Sequence, residues 1–249
     1  MVIVGITGGI DHGKTSLGEA FQSLETHATH YESSAVITNL AEAWLATVPV
    51  LPAADDIEAI NDWLKHLVPL INTGFEQSCS FEDIALHPND IKEHPENYAK
   101  LFAYLKNPHT DLSKPGEANK QLYRPLLQWM GGYLVSTVDD GIWYKQIVRF
   151  IKQDEAAGIV LSTVGGLRFP HDGEILKEAG ATIIEVERPG LDQTDTADPT
   201  ERQRQQIKVD CTVYNDGTLG DLQNCARQIY QHILKGSLQA NYHASRDLR

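Results

Sequence analysis

The chain has 249 residues, 41% of them hydrophobic, and a formal net charge of −13 from 34 acidic and 21 basic side chains. This length can bury the core of one α/β domain with insertions or of two small domains. Proteins that follow a nucleic-acid backbone usually have a basic face. The acidic balance, without any basic run, argues against nucleic acid as a partner and favours a small nucleotide held by a few cations.

Apolar runs and cysteines indicate the cellular setting. No apolar run approaches the ~20 residues that span a bilayer, and no basic segment precedes the first apolar run, so we expect neither a membrane partner nor a signal peptide. Cys79, Cys211 and Cys225 are widely spaced, which predicts neither a disulfide framework nor a zinc site. This profile is typical of a cytoplasmic protein.

A phosphate-binding motif follows the first apolar run. Residues 8–16, GGIDHGKTS, fit the pattern G-x-x-x-x-G-K-[ST]. Glycines let backbone N–H groups surround a phosphate, the Lys14 ammonium reaches the β and γ phosphates, and the Thr15 hydroxyl binds Mg²⁺. The predicted helix from 14 to about 24 adds its positive end. An ordinary Gly-rich turn is the alternative. The predicted nucleotide-binding residues are Gly8, Gly9, Asp11, His12, Gly13, Lys14, Thr15 and Ser16.

Residues 27–37 predict a second strand that leads into a helix over 35–47, with Ser33 or Ser34 as its N-cap. Ligands of open parallel sheets bind beyond the carboxyl ends of the strands. We therefore expect Tyr31, Glu32 and Ser33 to face the acceptor substrate. The same three residues would equally suit an ordinary strand-to-helix loop.

Residues 48–123 predict a helical insertion. Apolar residues recur there at helical spacing and indicate a packing surface rather than a ligand site. Turns rich in Pro, Asn and His are predicted at 87–95 and 107–116, with a short helix over 98–105 between them. We expect the histidines of these turns to be solvated and not to bind a metal. The apolar series is Ile57, Ile60, Trp63, Leu64, Leu67, Leu70 and Ile71, and the histidines are His87, His94 and His109.

Two further helices are predicted over 120–136 and 138–153. Arg124 and Gln128 are four residues apart and share a face of the first helix, and Trp129 adjoins them. An arginine, an amide and an aromatic ring on adjoining surfaces could hold a phosphate, contact a base edge and pack beside the base. A plain helix surface with a buried Trp129 is the alternative.

The last third of the chain alternates strands and helices. Strands are predicted over 158–164, 181–190 and from 209, with a helix over 171–179 that ends at Gly180 and a final helix to about 235. The stretch 191–206 is polar, and a loose tail is expected from 236. This alternation behind a phosphate loop predicts a doubly wound parallel sheet.

Four segments resemble the deoxynucleoside monophosphate kinases of phages and bacteria. LRFPHDGEILKEAGATIIEVERPG, at 167–190, is similar to the family's R-F-P-N-E … G-G … V-x-R-P-G segment. RPLLQWMGGY and DGIWYKQI, at 124–133 and 140–147, are similar to R-x-L-L-Q-x-L-G and D-x-x-W. VYNDGTLGDL is similar to the closing N-D-G-T-x-x-x-L. The resemblance covers roughly the first 25 residues and 124–235, whereas 31–120 match no segment of the family.

The resemblance implies an α/β, three-layer P-loop NTPase fold with a parallel sheet, a helical acceptor-binding insertion and a short lid. The implied reaction transfers the γ-phosphoryl group of ATP to a nucleoside or deoxynucleoside monophosphate, with ATP and Mg²⁺ as cofactors. The expected partners are small nucleotides, with a homodimer also possible. The expected parts are a core at 1–30 and 124–235, a lid at about 188–206, an insertion at 31–123 and a tail at 236–249.

The resemblance also implies roles for individual residues. Arg124 would bind the acceptor phosphate, and Arg168 and Arg188 would flank the transferring group, with Arg188 at the root of the lid. Surface ion pairing is the alternative for these last two arginines. Thr15 is the expected metal ligand. Asn215, Gly217 and Thr218 would lie along the adenine of ATP.

Two departures from the family pattern bear on catalysis. The family carries an Asp at the end of the strand before R-F-P, whereas residues 162–167 read STVGGL. Ser162, Thr163 or Asp11 could order a metal-bound water instead. DPTE at 198–201 also lacks a His that the family tends to carry. The open alternatives are therefore a kinase of another small acceptor, such as dephospho-coenzyme A, or a nucleotide-binding regulatory protein with weakened catalysis.

Overall fold

The computed structural model describes residues 1–48, 50–108, 117–191 and 199–245, without the side chains of 117–120 and 199–201. The chain divides into two compact units. Residues 1–33 and 147–249 form the first, which we call the sheet unit, and residues 34–146 form the second, the helical unit. Within the described residues there are six strands, β1 Val2–Gly8, β2 Ala28–Glu32, β3 Leu161–Gly165, β4 Thr182–Glu187, β5 Cys211–Tyr214 and β6 Asn241–His243.

Twelve helices are found in the same described residues. They are α1 Lys14–Gln22, α2 Ser33–Thr47, α3 Ile57–Lys65, α4 Leu67–Phe75, α5 Phe81–Ile84, α6 Pro88–Glu93, α7 Pro95–Lys106, α8 Glu117–Thr137, α9 Ile142–Ala156, α10 Pro170–Glu178, α11 Pro199–Arg204 and α12 Leu219–Lys235. In this part of the chain, no helix is long and apolar enough to cross a bilayer.

The strands lie in the order β2-β3-β1-β4-β5-β6, and each pair of neighbours is parallel. β1 pairs with β3 at Val4↔Thr163 and with β4 at Ile6↔Ile184. The predicted α/β fold with a parallel sheet flanked by helices, of the P-loop NTPase type, is confirmed. Because β1 lies between β3 and β4, the loop after β1 lies between the segments that follow these two strands.

Helices cover both faces of the sheet. On one face, α1 and α12 pack on β1, β4 and β5 through Leu17, Phe21 and Ile229, all fully buried. On the other face, α10 packs closely: a Cβ on Gly5 would lie 3.2 Å from Leu176 Cδ1 of α10, and 2.6 Å from Ile183 Cδ1 of the neighbouring strand β4. A glycine in β1 therefore admits α10, and three layers result.

The helical unit contains α2 to α8. The predicted packing surface is buried at Ile60, Trp63, Leu64, Leu67 and Ile71, although the series divides into α3 and α4 at His66 instead of forming one helix. The rings of Trp44 and Trp63 stack with their centroids 3.9 Å apart. This contact between the two tryptophans therefore fixes α2 against α3.

Several predictions for the helical unit need correction. The turns predicted at 87–95 are wrong, because Pro88 starts a short helix, α6, where its fixed φ is favourable. His87 and His94 flank this helix as exposed residues, whereas His109 lies outside the described residues. The predicted core begins its second segment at residue 124, but the structure places residues up to 146 in the helical unit. There, α8 packs against α5 and α7.

The loose tail predicted from 236 is wrong for residues 241–243. These residues form β6, which pairs with β5 at Val213↔Tyr242. Tyr242 and Ala244 are 3% and 1% exposed, and the Tyr242 hydroxyl lies 2.9 Å from His232 Nδ1 of α12. Burial of these two side chains holds a strand that is too short to show a period-two pattern. Residues 246–249 lie outside the described residues.

Candidate nucleotide-binding site

The loop between β1 and α1 depends on two glycines. Gly8 ends β1 with φ 148°, and a Cβ there would collide with the backbone oxygen of Val186 in β4. Gly13 immediately precedes α1 with φ 101°, in the left-handed region where only glycine is unstrained. Asp11, exposed at the loop tip, also has a positive φ of 62°. The predicted motif therefore forms the tight strand-to-helix loop that it requires.

Cationic and polar groups converge at this loop. Lys14 Nζ donates a hydrogen bond of 2.6 Å to Gly9 O, so the ammonium folds back over the loop. Thr15 is exposed and Ser16 half-buried in the first turn of α1. An ammonium, a helix N-terminus and two hydroxyls together suit a polyphosphate.

His12 and Asn215 fix the loop to the ends of β4 and β5. His12 is 6% exposed, and its Nδ1 lies 3.1 Å from Val186 O at the end of β4. Asn215 Nδ2 donates a 2.9 Å hydrogen bond to His12 O. The Asn215 amide therefore supports the backbone of the phosphate loop, and its contact with an adenine stays a prediction. His12 has a similar supporting position, with its ring packed against Gly9.

The turn after β5 is shaped by its own contacts. Thr218 caps α12 in a capping box, in which Thr218 N donates to Asp221 Oδ2 at 2.9 Å. A Cβ on Gly217 would collide with Ala244 O, so this glycine admits the segment after β6. Contact of Gly217 and Thr218 with an adenine stays a prediction.

Arg168 and Arg188 are both exposed and follow β3 and β4. The strand order therefore brings them to opposite sides of the phosphate loop. The backbone at Arg168 is fixed by Asp172, whose Oδ2 accepts 2.9 Å hydrogen bonds from Arg168 N and Phe169 N. Asp172 is 3% exposed, and this burial raises the pKa of its carboxyl, although the backbone hydrogen bonds oppose the rise.

The predicted lid, at about 188–206, is only partly described. Residues 192–198 lie outside the described residues. At its end, Arg204 is 6% exposed and its Nη1 donates to Glu185 Oε1 at 2.9 Å. This ion pair fixes the end of α11 to β4.

Tyr31 and Glu32 leave β2 on opposite faces, as consecutive strand residues do. Tyr31 packs on α9, where its hydroxyl donates to Asp154 Oδ2 at 2.5 Å and its ring stacks on Phe150. Burial, then the charge and hydrogen bond of Asp154, raise the pKa of Tyr31. Glu32 points to the face that α1 covers, and Ser33 begins α2. The structure therefore does not bring these three predicted side chains together.

On α8, Arg124 and Gln128 are exposed, as a ligand-binding pair requires. Trp129 is 3% exposed and stacks on Tyr133 with ring centroids 4.8 Å apart. Its Nε1 has no hydrogen-bond partner among the described residues. The alternative of a buried Trp129 is therefore the one that the structure shows. In this packing, a base cannot stack on the Trp129 ring.

The hydroxyls of Ser162 and Thr163 do not reach the phosphate loop. Both residues are fully buried within β3, and their Oγ atoms lie 2.8 Å from Thr29 Oγ1 and His30 Nδ1 of β2. The suggestion that either orders a metal-bound water is therefore wrong. The sequence does not predict the contact between His30 and Thr163. It becomes visible only when β2 is paired with β3.

A parallel sheet with a phosphate loop after its central strand defines the P-loop class of nucleotide-binding proteins. Residues 79–225, more than half of the chain, match the deoxynucleotide monophosphate kinase family. The expectation that residues 31–120 match no segment of the family is therefore wrong for 79–120. The chain belongs to this family. The matched residues exclude the phosphate loop, so the loop and the family match are independent observations. No curated protein shows significant similarity to the chain.

Proposed function

We propose that the protein transfers the γ-phosphoryl group of ATP to a deoxynucleoside monophosphate and releases ADP and the diphosphate. One observation carries the proposal beyond the family match: the order β3-β1-β4 brings the phosphate loop between the segments of Arg168 and Arg188. Both side chains are exposed. Phosphoryl transfer needs positive groups around the transferring oxygens more than it needs covalent chemistry.

Each cationic residue has its own role in this proposal. Lys14 neutralises the β and γ phosphates of ATP, and Arg168 and Arg188 stabilise the charge on the group in transfer. Arg188 follows β4 directly and also lies at the root of the proposed lid. A lid that excludes water would prevent loss of the phosphoryl group to hydrolysis.

The residues at the loop also fit Mg²⁺. Mg²⁺ sites usually combine one or two protein ligands with substrate phosphates and water. Within the described residues, no three His, Cys, Asp or Glu side chains form a metal cage, and Thr15 is exposed in the first turn of α1. Thr15 would hold the ion, which supplies further neutralisation of the phosphates when bound.

The helical unit would bind the acceptor. Arg124 would hold its phosphate, and Gln128, one turn further along α8, would contact a base edge. Both side chains are exposed. A site that hydrogen-bonds a base edge discriminates against a base without the matching group, so specificity for one or a few bases is expected.

The direct experiment incubates the protein with ATP, Mg²⁺ and each ribo- or deoxyribonucleoside monophosphate, and measures ADP together with the new diphosphate. Transfer to one or a few deoxynucleoside monophosphates is expected. Lys14→Ala should lower the rate by about a hundredfold or more, whereas Lys152→Ala, which removes an exposed ammonium on α9, should not. Full activity of Lys14→Ala would refute the assignment of the phosphate loop.

A second candidate is a nucleotide-binding protein with little or no turnover. It is favoured by the sequence of β3 and its end, where no carboxylate is present between Leu161 and Arg168. Binding of ATP without transfer to any acceptor, dephospho-coenzyme A included, would support it. Transfer to dephospho-coenzyme A alone would instead identify a kinase of a different small acceptor.

A further inference from the structure

The end of β3 has a space that a side chain from β2 occupies. Glu32, the last residue of β2, pairs with Gly165, the last residue of β3. A Cβ on Gly165 would collide with Glu32 Oε1. Gly165 is not among the residues with a positive φ, so backbone conformation does not require this glycine. The carboxylate of Glu32 occupies the space that a side chain at this position would enter.

Hydrogen bonds orient this carboxylate. His30 lies two residues earlier on the same face of β2, and its Nε2 is 3.2 Å from Glu32 Oε1. Its Nδ1 is 2.8 Å from the buried Thr163 Oγ1. Since an ionised carboxylate only accepts, Nε2 carries the proton and donates to Glu32. The side chain of Glu32 is nevertheless 36% exposed, so part of the carboxylate remains open to solvent.

Glu32 also lies at the level of the phosphate loop. The His30 ring packs beside Gly18 of α1, with Cε1 3.5 Å from the position of a Gly18 Cβ. From Gly18 back to Lys14, α1 spans about 6 Å. From His30 to Glu32, β2 advances by about 7 Å in the same direction, because crossover helices run antiparallel to their strands. Glu32 therefore lies at about the same height along the sheet as the first turn of α1, which contains Thr15.

We propose that Glu32 is the acidic residue that positions the water shell of the Mg²⁺ bound with ATP. The inference rests on the proposed function. P-loop NTPases hold Mg²⁺ with the loop Ser or Thr and with an acidic residue. β3 brings no carboxylate to this edge, and β2 brings one from the adjoining position. Glu32 is then a positioning residue next to the metal and does not contact the acceptor base.

The test measures metal-dependent binding of ATP and does not depend on turnover. ATP is titrated calorimetrically with and without Mg²⁺, and Mn²⁺ binding to the ATP complex is followed by electron paramagnetic resonance. Glu32→Gln keeps the side-chain volume and an acceptor for His30 but removes the charge. Glu19→Gln, on the exposed face of α1, removes a matched charge elsewhere. Circular dichroism and thermal unfolding verify that each variant folds.

A double variant tests the position of the charge. Glu32→Ala empties the space at Gly165, and Gly165→Asp then returns a carboxylate to it from β3. Glu32→Gln should weaken Mn²⁺ binding to the ATP complex about tenfold or more, in the range found for residues that orient metal ligands. The double variant should recover most of this loss. ATP binding without metal should not weaken in any of them.

The outcomes separate the inference from the proposed function. Unchanged Mn²⁺ binding in Glu32→Gln overturns the inference and leaves the kinase proposal intact. Loss in Glu32→Gln without recovery in the folded double variant also overturns it, because a carboxylate at this edge is then not what the metal requires. Failure of the unmodified protein to bind ATP refutes the proposed function and the inference with it.

Discussion

The side-chain amide of Asn215 donates a hydrogen bond of 2.9 Å to the backbone oxygen of His12. Two segments more than 200 residues apart in the chain are thereby joined, the turn after β5 and the phosphate loop after β1. The loop is consequently held in shape before any phosphate arrives. Such preorganisation lowers the entropic cost of binding.

Asn215→Ala should weaken ATP binding by about fivefold, since a typical intramolecular hydrogen bond is worth about 1 kcal/mol. Titration calorimetry with ATP measures the change. Asn224→Ala is the matched control, because Asn224 is exposed on α12 and its side chain accepts a hydrogen bond from Arg227 of the same helix, away from the phosphate loop. Equal affinities of the two variants would show that the amide does not support the loop.

Gly13→Ala should destabilise the fold by about 1–3 kcal/mol, the cost of a strained backbone position, and should also impair ATP binding. Gly13 has φ 101°, and a Cβ there would collide with Asn215 Nδ2. Gly158→Ala is the control, because Gly158 has φ 90° but no atom within 4 Å of an added Cβ. Urea unfolding measures the free energy of unfolding of both variants. Both positions have a positive φ, so the larger loss expected for Gly13→Ala reports the collision. Adding Asn215→Ala to Gly13→Ala should restore part of the lost stability, and no restoration would contradict the predicted collision.

Asp172 should make stability depend on pH in the weakly acidic range. Burial raises the pKa of its carboxyl in the folded state, so the folded protein binds this proton more tightly than the unfolded chain. The resulting stabilisation is complete below the ordinary Asp pKa and is lost as pH rises through the raised value. Asp172→Asn keeps an oxygen acceptor for Arg168 N and Phe169 N and should lack this component.

The measurement for Asp172 is the free energy of unfolding in urea between pH 4 and pH 7. The advantage of the unmodified protein over Asp172→Asn should shrink as pH rises. Asp216→Asn, at an exposed position in the turn before α12, controls for the loss of a carboxylate. A difference that grows with pH would contradict the raised pKa.

The three cysteines should be inert in the folded protein. Burial raises the pKa of Cys79 to about 11 and those of Cys211 and Cys225 to about 12, and the thiolate is the reactive form. Ellman's reagent at pH 8 should therefore react with no thiol until guanidinium unfolds the chain, and then with three. Rapid reaction of one thiol before unfolding would refute the burial of that residue.

Local patterns were sufficient to predict much of the sheet unit. The phosphate loop combines glycines, lysine and threonine at fixed spacing, and the alternation of strands with helices predicts parallel pairing. The opposite faces of Tyr31 and Glu32 also follow from the period of a strand. The grouping of both as acceptor contacts overlooked this alternation.

Other features depend on contacts between distant segments. The space at Gly165 is meaningful only once β2 is paired with β3. The burial of Trp129 depends on helices that pack around α8, and a single tryptophan beside polar residues does not reveal it. β6 is three residues long, too short for its alternation to be recognised.

β6 also limits association between copies of the chain through the edge of the sheet. Without it, β5 would be the edge strand, with a longer row of unpaired backbone N–H and C=O groups than β6 leaves, and open edges of this sort recruit strands from neighbouring chains. Ala244, just beyond β6, also packs against Gly217 in the turn near the phosphate loop. The same short segment therefore leaves an edge strand of only three residues, which limits such pairing, and keeps that turn in shape, so damage to it would cost solubility and nucleotide affinity together.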